Sequence, residues 1–258
     1  MARAVVLLLL SVLAAPGAGA DAALEVGKTA LVVEVVDGDT VVLETGEEVR
    51  LVGIQAPKLP LGRPHVKLQP LADEAKATLE ALARGRPVTL SFGGRQRDRH
   101  GRWLAHLHRA DDGLWLQGAM LRHGLARVYS FRDNRALLTE MLALEAGARA
   151  LKRGIWSHPF YLIRRAEPPD IPLDSFELVE GRVRAVAVVN GRAYLNFGPD
   201  WRRDFTATVR PADRRRFERE GVDLKALEDH TIRVRGWVRS YNGPMIEVTH
   251  PEQIEVLE

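Results

Sequence analysis

Val35-Val36-Asp37-Gly38-Asp39-Thr40-Val41-Val42-Leu43 places two runs of branched apolar residues on either side of an Asp-Gly pair. Alternating branched residues suit a half-buried strand, and Asp-Gly suits a tight turn, so the stretch predicts a hairpin with strands over residues 29–36 and 40–44. Gly46 then marks a turn into a third strand, residues 48–54, which Pro57 closes because proline cannot donate to a ladder. Leu71, Ala75, Leu79 and Leu82 recur at helical spacing up to Gly85, which predicts a helix over residues 71–83. Residues 88–92 and 103–108 read as two more strands, and residues 114–122 and 135–151 as helices stopped by Gly124 and Gly154. Five strands with a helix after the third make a closed barrel the expected architecture.

Downstream, Glu167-Pro168-Pro169-Asp170-Ile171-Pro172 predicts a stiff, extended linker, since clustered prolines hold a chain near polyproline geometry. Beyond it, residues 177–189, 192–197, 205–209, 231–238 and 245–248 read as strands, with 254–257 as a last edge. Residues 211–219, with Pro211 in the first turn, read as a helix between the third and fourth strands. The expectation is a mainly β, α+β chain: a five-stranded OB-fold barrel with helices over residues 21–160, a linker over 161–175, and a smaller OB-like barrel over 176–258.

With 258 residues, 46% of them hydrophobic and 28% charged, the chain is long enough for one large domain or two small ones. It has no cysteine, so disulfides, thiolate metal sites and a cysteine nucleophile are excluded. A net charge of +3 is too slight to argue for a polyanion by itself, because such binding depends on clustered basic groups. Arg3 followed by an apolar run over residues 4–15 and then Ala18-Gly19-Ala20 reads as an export signal, residues 1–20, with the mature chain starting near Asp21. The apolar run is shorter than the roughly 17–25 residues that cross a bilayer. A secreted or periplasmic protein with no membrane anchor after cleavage is therefore expected.

Two further blocks follow the hairpin: Arg50-Leu51-Val52-Gly53-Ile54-Gln55-Ala56-Pro57-Lys58 and Asp98-Arg99-His100-Gly101-Arg102-Trp103-Leu104-Ala105. With Asp37-Gly38-Asp39-Thr40, they resemble the staphylococcal nuclease (thermonuclease) family. The resemblance runs over about residues 28–160, including Gly124-Leu125-Ala126-Arg127-Val128 and Gly154-Ile155-Trp156. In that family the second block is Arg-Leu-x-Gly-Ile-Asp-x-Pro-Glu, so Gln55 and Lys58 stand here where the pattern has two carboxylates. The resemblance implies a nuclease, a phosphodiesterase on single-stranded DNA or RNA. Arg50 and Arg102 would then be the catalytic residues that grip the phosphoryl group, as the planar guanidinium fork suits.

It also implies Ca²⁺ held by Asp39 and by position 55, with position 58 as general base. Gln55 offers only a neutral oxygen, and a charged Lys58 neither accepts a proton nor tolerates a nearby cation, so a weakened Ca²⁺ site or no metal is expected. Three chemistries are compatible with this set. Arg50, Arg102 and Lys58 form an inert phosphate pocket; or Lys58 replaces the metal's charge while Asp39, Glu74 or His100 serves as base; or the loop over residues 60–70, with Arg63, His65 and Lys67, supplies its own group.

Candidates for nucleic-acid contact are Asp37, His100 and Tyr129 in the first barrel, and Tyr194, Phe197, Trp201 and Trp237, near Arg202 and Arg203, in the second. Barrel core is at least as common a role for such aromatics. A nuclease, a non-catalytic nucleic-acid-binding module and an envelope protein-interaction scaffold all fit a fold this widely shared.

Overall fold

The computed structural model describes residues 24–257, so the export signal expected over residues 1–20 lies outside the described residues. In the first half the elements run β1 (Glu25–Asp37), β2 (Thr40–Leu43), β3 (Glu48–Leu51), β4 (Ile54–Gln55), α1 (Ala72–Ala83), β5 (Pro87–Phe92), β6 (Trp103–Arg109), α2 (Leu116–Arg122), β7 (Arg127–Val128) and α3 (Leu138–Ala150). Five of the strands close into a barrel in the order β1-β2-β3-β6-β5, with β3 and β6 parallel. Alternation explains the closure: Val32, Val35, Val41, Leu43, Val49, Leu51, Leu90 and Leu107 all point inward and are buried, and α1 adds Ala75 and Leu79. β1 pairs with β2 at one end and β5 at the other, and register shifts between Val32 and Glu34 and between Val26 and Thr29 bend it round the corner.

The third strand is shorter than the alternation predicts. Gly53 adopts φ +83°, which ends the ladder after Leu51, and Ile54–Gln55 leave the barrel to pair with Val128 and Arg127. Gly38 in the hairpin turn has a different constraint, since a Cβ there would lie 2.7 Å from the Cβ atoms of both Ala56 and Ala75. The turn is thus pressed against α1 and the segment after β4.

The second half contains β8 (Arg164–Arg165), β9 (Phe176–Arg182), β10 (Ala185–Val189), β11 (Arg192–Asn196), β12 (Thr206–Val209), α4 (Pro211–Arg219), β13 (Thr231–Ser240), β14 (Pro244–Glu247) and β15 (Ile254–Val256). β9 and β10 are one strand bent at Val183-Arg184, the first part pairing with β13 and the second with β11. The sheet order β10-β11-β12-β14-β13-β9, with β12 and β14 parallel, therefore repeats the connectivity of the first barrel. A separate core fills it, with Val179, Leu195, Phe197, Phe205, Phe217, Val234 and Ile246 at its centre. Among the described residues no helix is long and apolar enough to cross a membrane.

The proline-rich segment does not stand free as an extended linker. β8 pairs with β9, and Ala166 and Ile171 are buried in the second core, because apolar residues next to the prolines gain more by burial than by exposure. The barrels also meet directly. Arg235 of β13 donates to both Glu145 carboxylate oxygens of α3 at 3.0 and 2.9 Å, and both residues are buried. Glu145 accepts in addition from the Val128 N–H at 2.6 Å and from Arg149 at 3.0 Å. Arg135 bridges from the first barrel to Glu220 and Glu252 of the second.

Candidate functional site

The β1–β2 turn, the end of β3 and the segment after β4 bring Asp37, Asp39, Arg50 and Lys58 together. Asp39 is sealed from solvent at the centre. Its Oδ1 accepts from the Thr40 hydroxyl at 3.2 Å and from Arg50 in a tight ion pair, while Oδ2 accepts from the Ala56 N–H at 2.8 Å. The Lys58 ammonium lies 3.9 Å from Oδ2, on a side chain 27% exposed. Arg50 reaches outward from β3 because its neighbours Val49 and Leu51 take the core side. A second, weaker bond from Arg50 Nη2 to the Ile54 carbonyl at 3.4 Å helps to fix its guanidinium.

The electrostatics follow from burial around these charges. Burial acts to raise Asp39, yet Arg50 and Lys58 hold it below the ordinary carboxylate value. Asp37 has no such partner in contact; burial, and then the Asp39 charge, push it up to about 6. Burial also lowers the Lys58 ammonium from the usual amine value, in spite of Asp39 beside it. Arg50 is raised, because the attraction of Asp39 and Asp37 outweighs its own desolvation.

Lys58 is held by its backbone: its N–H donates to Gln69 Oε1 at 2.9 Å, and its carbonyl accepts from the Gln69 N–H at 3.0 Å. These bonds close the loop over residues 60–70, on which Arg63 is anchored by donating to the Leu59 and Pro60 carbonyls. Arg63, His100 and Arg102 line one open depression of about 620 Å³, together with Glu47, Glu48 and Arg97. Arg102 is gripped by Asp98, to which its Nε donates at 2.8 Å, and it lies two residues before Leu104, the parallel partner of Arg50. His100 is exposed and its N–H donates to Asp98 Oδ1 at 2.8 Å.

Tyr129, half-buried, completes the group from beyond β7. Burial raises its phenol, while Arg50 and Arg99 pull it the other way, so both cations are within electrostatic reach. Its ring meets those of Phe131 and Phe176 edge-on, each at 4.9 Å between centroids. Glu74 sits exposed on α1, and no contact joins it to Asp39 or Lys58.

Gln55 turns away from this group. Its Oε1 accepts from Arg127 Nη2 at 3.1 Å, and Arg127 in turn donates to the Phe176 carbonyl at 2.9 Å in the interface between barrels. Nothing in the sequence marks Arg127 or Gln69 as supports of the site, since each acts through a partner more than ten residues away. A hard divalent cation needs six to eight oxygens, several of them carboxylate. Here the central carboxylate has both oxygens engaged, position 55 points elsewhere, and an ammonium stands 3.9 Å from Asp39. Among the described residues no three His, Cys, Asp or Glu side chains cluster as metal ligands. The residues present do not fit Ca²⁺.

In the second barrel the aromatic candidates separate. Phe197 is buried in the core against Phe205, at 5.0 Å, which leaves no face for a base. Tyr194 and Trp201 line one surface cleft, and Trp237 stands exposed on β13 opposite Phe176.

Comparison with known proteins agrees with the first barrel's architecture. Residues 48–158 match the family model described as staphylococcal nuclease homologue. A thermonuclease of Staphylococcus hyicus is 27% identical over 139 residues, covering 51% of this chain and 77% of that protein. One from Staphylococcus intermedius is 29% identical over 135 residues, with 50% and 77% covered. Protein ParB of Escherichia coli is 32% identical over 138 residues, spanning 50% of this chain and 72% of its own length. Through its first barrel, this chain belongs to the staphylococcal nuclease homologue family.

Proposed function

We propose that the first barrel binds the phosphodiester backbone of nucleic acid without a divalent metal, Lys58 and Arg50 supplying the positive charge. One observation carries this: a sealed Asp39 holds one guanidinium and one ammonium beside it, both on partly exposed side chains. Asp39 acts as a positioning residue. Its fixed charge holds Arg50 and Lys58 beside one another, where both can donate to a phosphate oxygen. Arg102, steadied by Asp98, and Arg63 extend the cationic surface for neighbouring phosphates. Gln55 and Lys58 are the two replaced family carboxylates in this reading. An export signal over residues 1–20 would place the protein in the periplasm or outside the cell.

The names of the staphylococcal relatives favour a second reading, in which the bound phosphodiester is also hydrolysed. The test is binding and cleavage of a labelled single-stranded oligonucleotide with Ca²⁺, with Mg²⁺ and with chelator. We expect binding to persist in chelator. Lys58→Met should weaken it and reduce the slope of log affinity against log salt by about 0.7, the effect of neutralising one phosphate fewer. Binding that disappears in chelator and returns with Ca²⁺ would refute the metal-independent site. Fragments released by the wild type but not by an Arg50→Lys, Arg102→Lys variant would establish hydrolysis.

A further inference from the structure

We propose that the outer face of the second barrel holds a binding cleft for unpaired bases of single-stranded nucleic acid, continuous with the phosphate site of the first. The cleft has a volume of about 420 Å³ and is lined by Tyr194, Asn196, Trp201, Thr206, Tyr241 and Met245. Trp201 and Tyr241 are 49% and 61% exposed, and both open on this one cleft, where their rings can stack on a base. Asn196 and Thr206, whose side chains lie 3.5 Å apart, add hydrogen-bonding groups to the lining.

Charge argues for a polyanion as the occupant. Arg202 places its guanidinium 4.3 Å from the Trp201 ring centre, and Arg239 is the strand partner of Met245. Both are exposed, as is Arg203, and among the described residues none of the three has a carboxylate partner within ion-pair distance. The acids closest in sequence are engaged in the backbone turn: Asp204 Oδ2 accepts from the Asp200 N–H at 2.6 Å, and Asp200 Oδ1 from the Arg202 N–H at 3.1 Å. Aromatic rings interleaved with free arginines are what a single strand needs, since every base has a face to stack and every link has a phosphate. A neutral sugar would use the rings and leave the arginines idle.

The path to the first barrel runs along β13. Arg235 is covered by α3 of the first barrel, Trp237 and Arg239 then emerge at steps of about 7 Å, and Tyr241 is exposed just beyond the strand's end. Trp237 is the strand partner of Phe176, whose ring meets Tyr129 at 4.9 Å, and Tyr129 is within reach of Arg50. The junction rests on the phosphate-binding reading of Arg50 and Lys58; the cleft itself does not.

The experiment measures anisotropy of a short and a long labelled oligothymidylate with the full chain in chelator, beside a Trp201→Ala, Tyr241→Ala variant, Arg239→Ala and Lys58→Met. Loss of the two rings should weaken binding at least about tenfold, and Arg239→Ala should lower the salt slope by about 0.7. An unchanged melting temperature and recovery of binding in Trp201→Phe, Tyr241→Phe would show that the rings act by stacking. Weakening only in Lys58→Met would overturn the cleft and leave the first site standing; weakening only in the ring variant would do the reverse. Equal affinity in all proteins, or displacement of the oligonucleotide from the cleft by a neutral oligosaccharide, would also overturn the cleft. If Lys58→Met and the ring variant both weaken the long oligonucleotide more than the short one, the two sites form one track.

Discussion

Asp37→Asn should make the protein more stable at neutral pH, and the amount can be worked from the structure. In the native state Asp37 is buried next to Asp39 and titrates at about 6 instead of 3.8. A folded value above the unfolded one means the native protein holds this proton more tightly. The contribution to stability is therefore fully present below pH 3.8 and is lost as pH rises through about 6. At about 1.36 kcal/mol per pH unit, the charged carboxylate costs the native state up to about 3 kcal/mol above that range. Asparagine removes the charge but keeps an acceptor for the Asp39 N–H, now 3.1 Å from Asp37 Oδ1. A neutral acceptor is weaker, so a net gain of about 2 kcal/mol is expected. Urea unfolding followed by tryptophan fluorescence, in chelator, should then shift its midpoint upward by about 0.7 M at about pH 8. The difference should shrink to nothing near about pH 4, where wild-type Asp37 is protonated. A gain that is the same at both pH values, or a loss at the higher one, would refute the argument that buried charge is what burdens this turn.

Two further outcomes concern the interface between the barrels. Arg235→Met leaves Glu145 buried without its two-toothed partner and should cost about 3–5 kcal/mol, measured as a lower urea midpoint for both barrels together. His250, buried and bonded to the Ser130 hydroxyl at 2.7 Å, is pushed down to about 3 by desolvation and then by Arg135, Arg216 and Arg235. Its contribution is complete above the ordinary value of 6.5 and is lost as pH falls toward about 3. His250→Gln should be less stable at neutral pH by about 1–2 kcal/mol for the weakened bonds, yet lose less on acidification than the wild type. An identical acid profile in the two proteins would show that another group carries the acid sensitivity.

Much of the fold was legible because its determinants are local. Period-two apolar runs around Asp37-Gly38 and helical spacing from Leu71 to Leu82 specify which face of each element is buried, and closure follows from giving those faces a shared interior. The arginines of the site were legible for the same reason: Arg50 and Arg102 sit at fixed offsets from strand residues that must point inward. Where readings departed, the cause was non-local. The third strand stops at Leu51 because Gly53 takes a left-handed conformation, a choice enforced by the pairing of Ile54–Gln55 with a strand more than seventy residues away. Phe197 goes to the core with Phe205, which lies next to it where β11 gives way to β12.

The amino-acid order alone thus determined a barrel followed by a second sheet-rich unit, and the cationic residues of the first. Only the tertiary structure decided what those residues do to one another. Asp39 is sealed and saturated because Arg50 from β3 and Ala56 and Lys58 from the segment after β4 converge on it. Gln55 is turned from the site by Arg127, and Trp237 and Arg239 are carried out from under the first barrel by the register of β13. Charge, desolvation and hydrogen bonding act through space at a few ångströms, and sequence distance does not encode which groups will come that close.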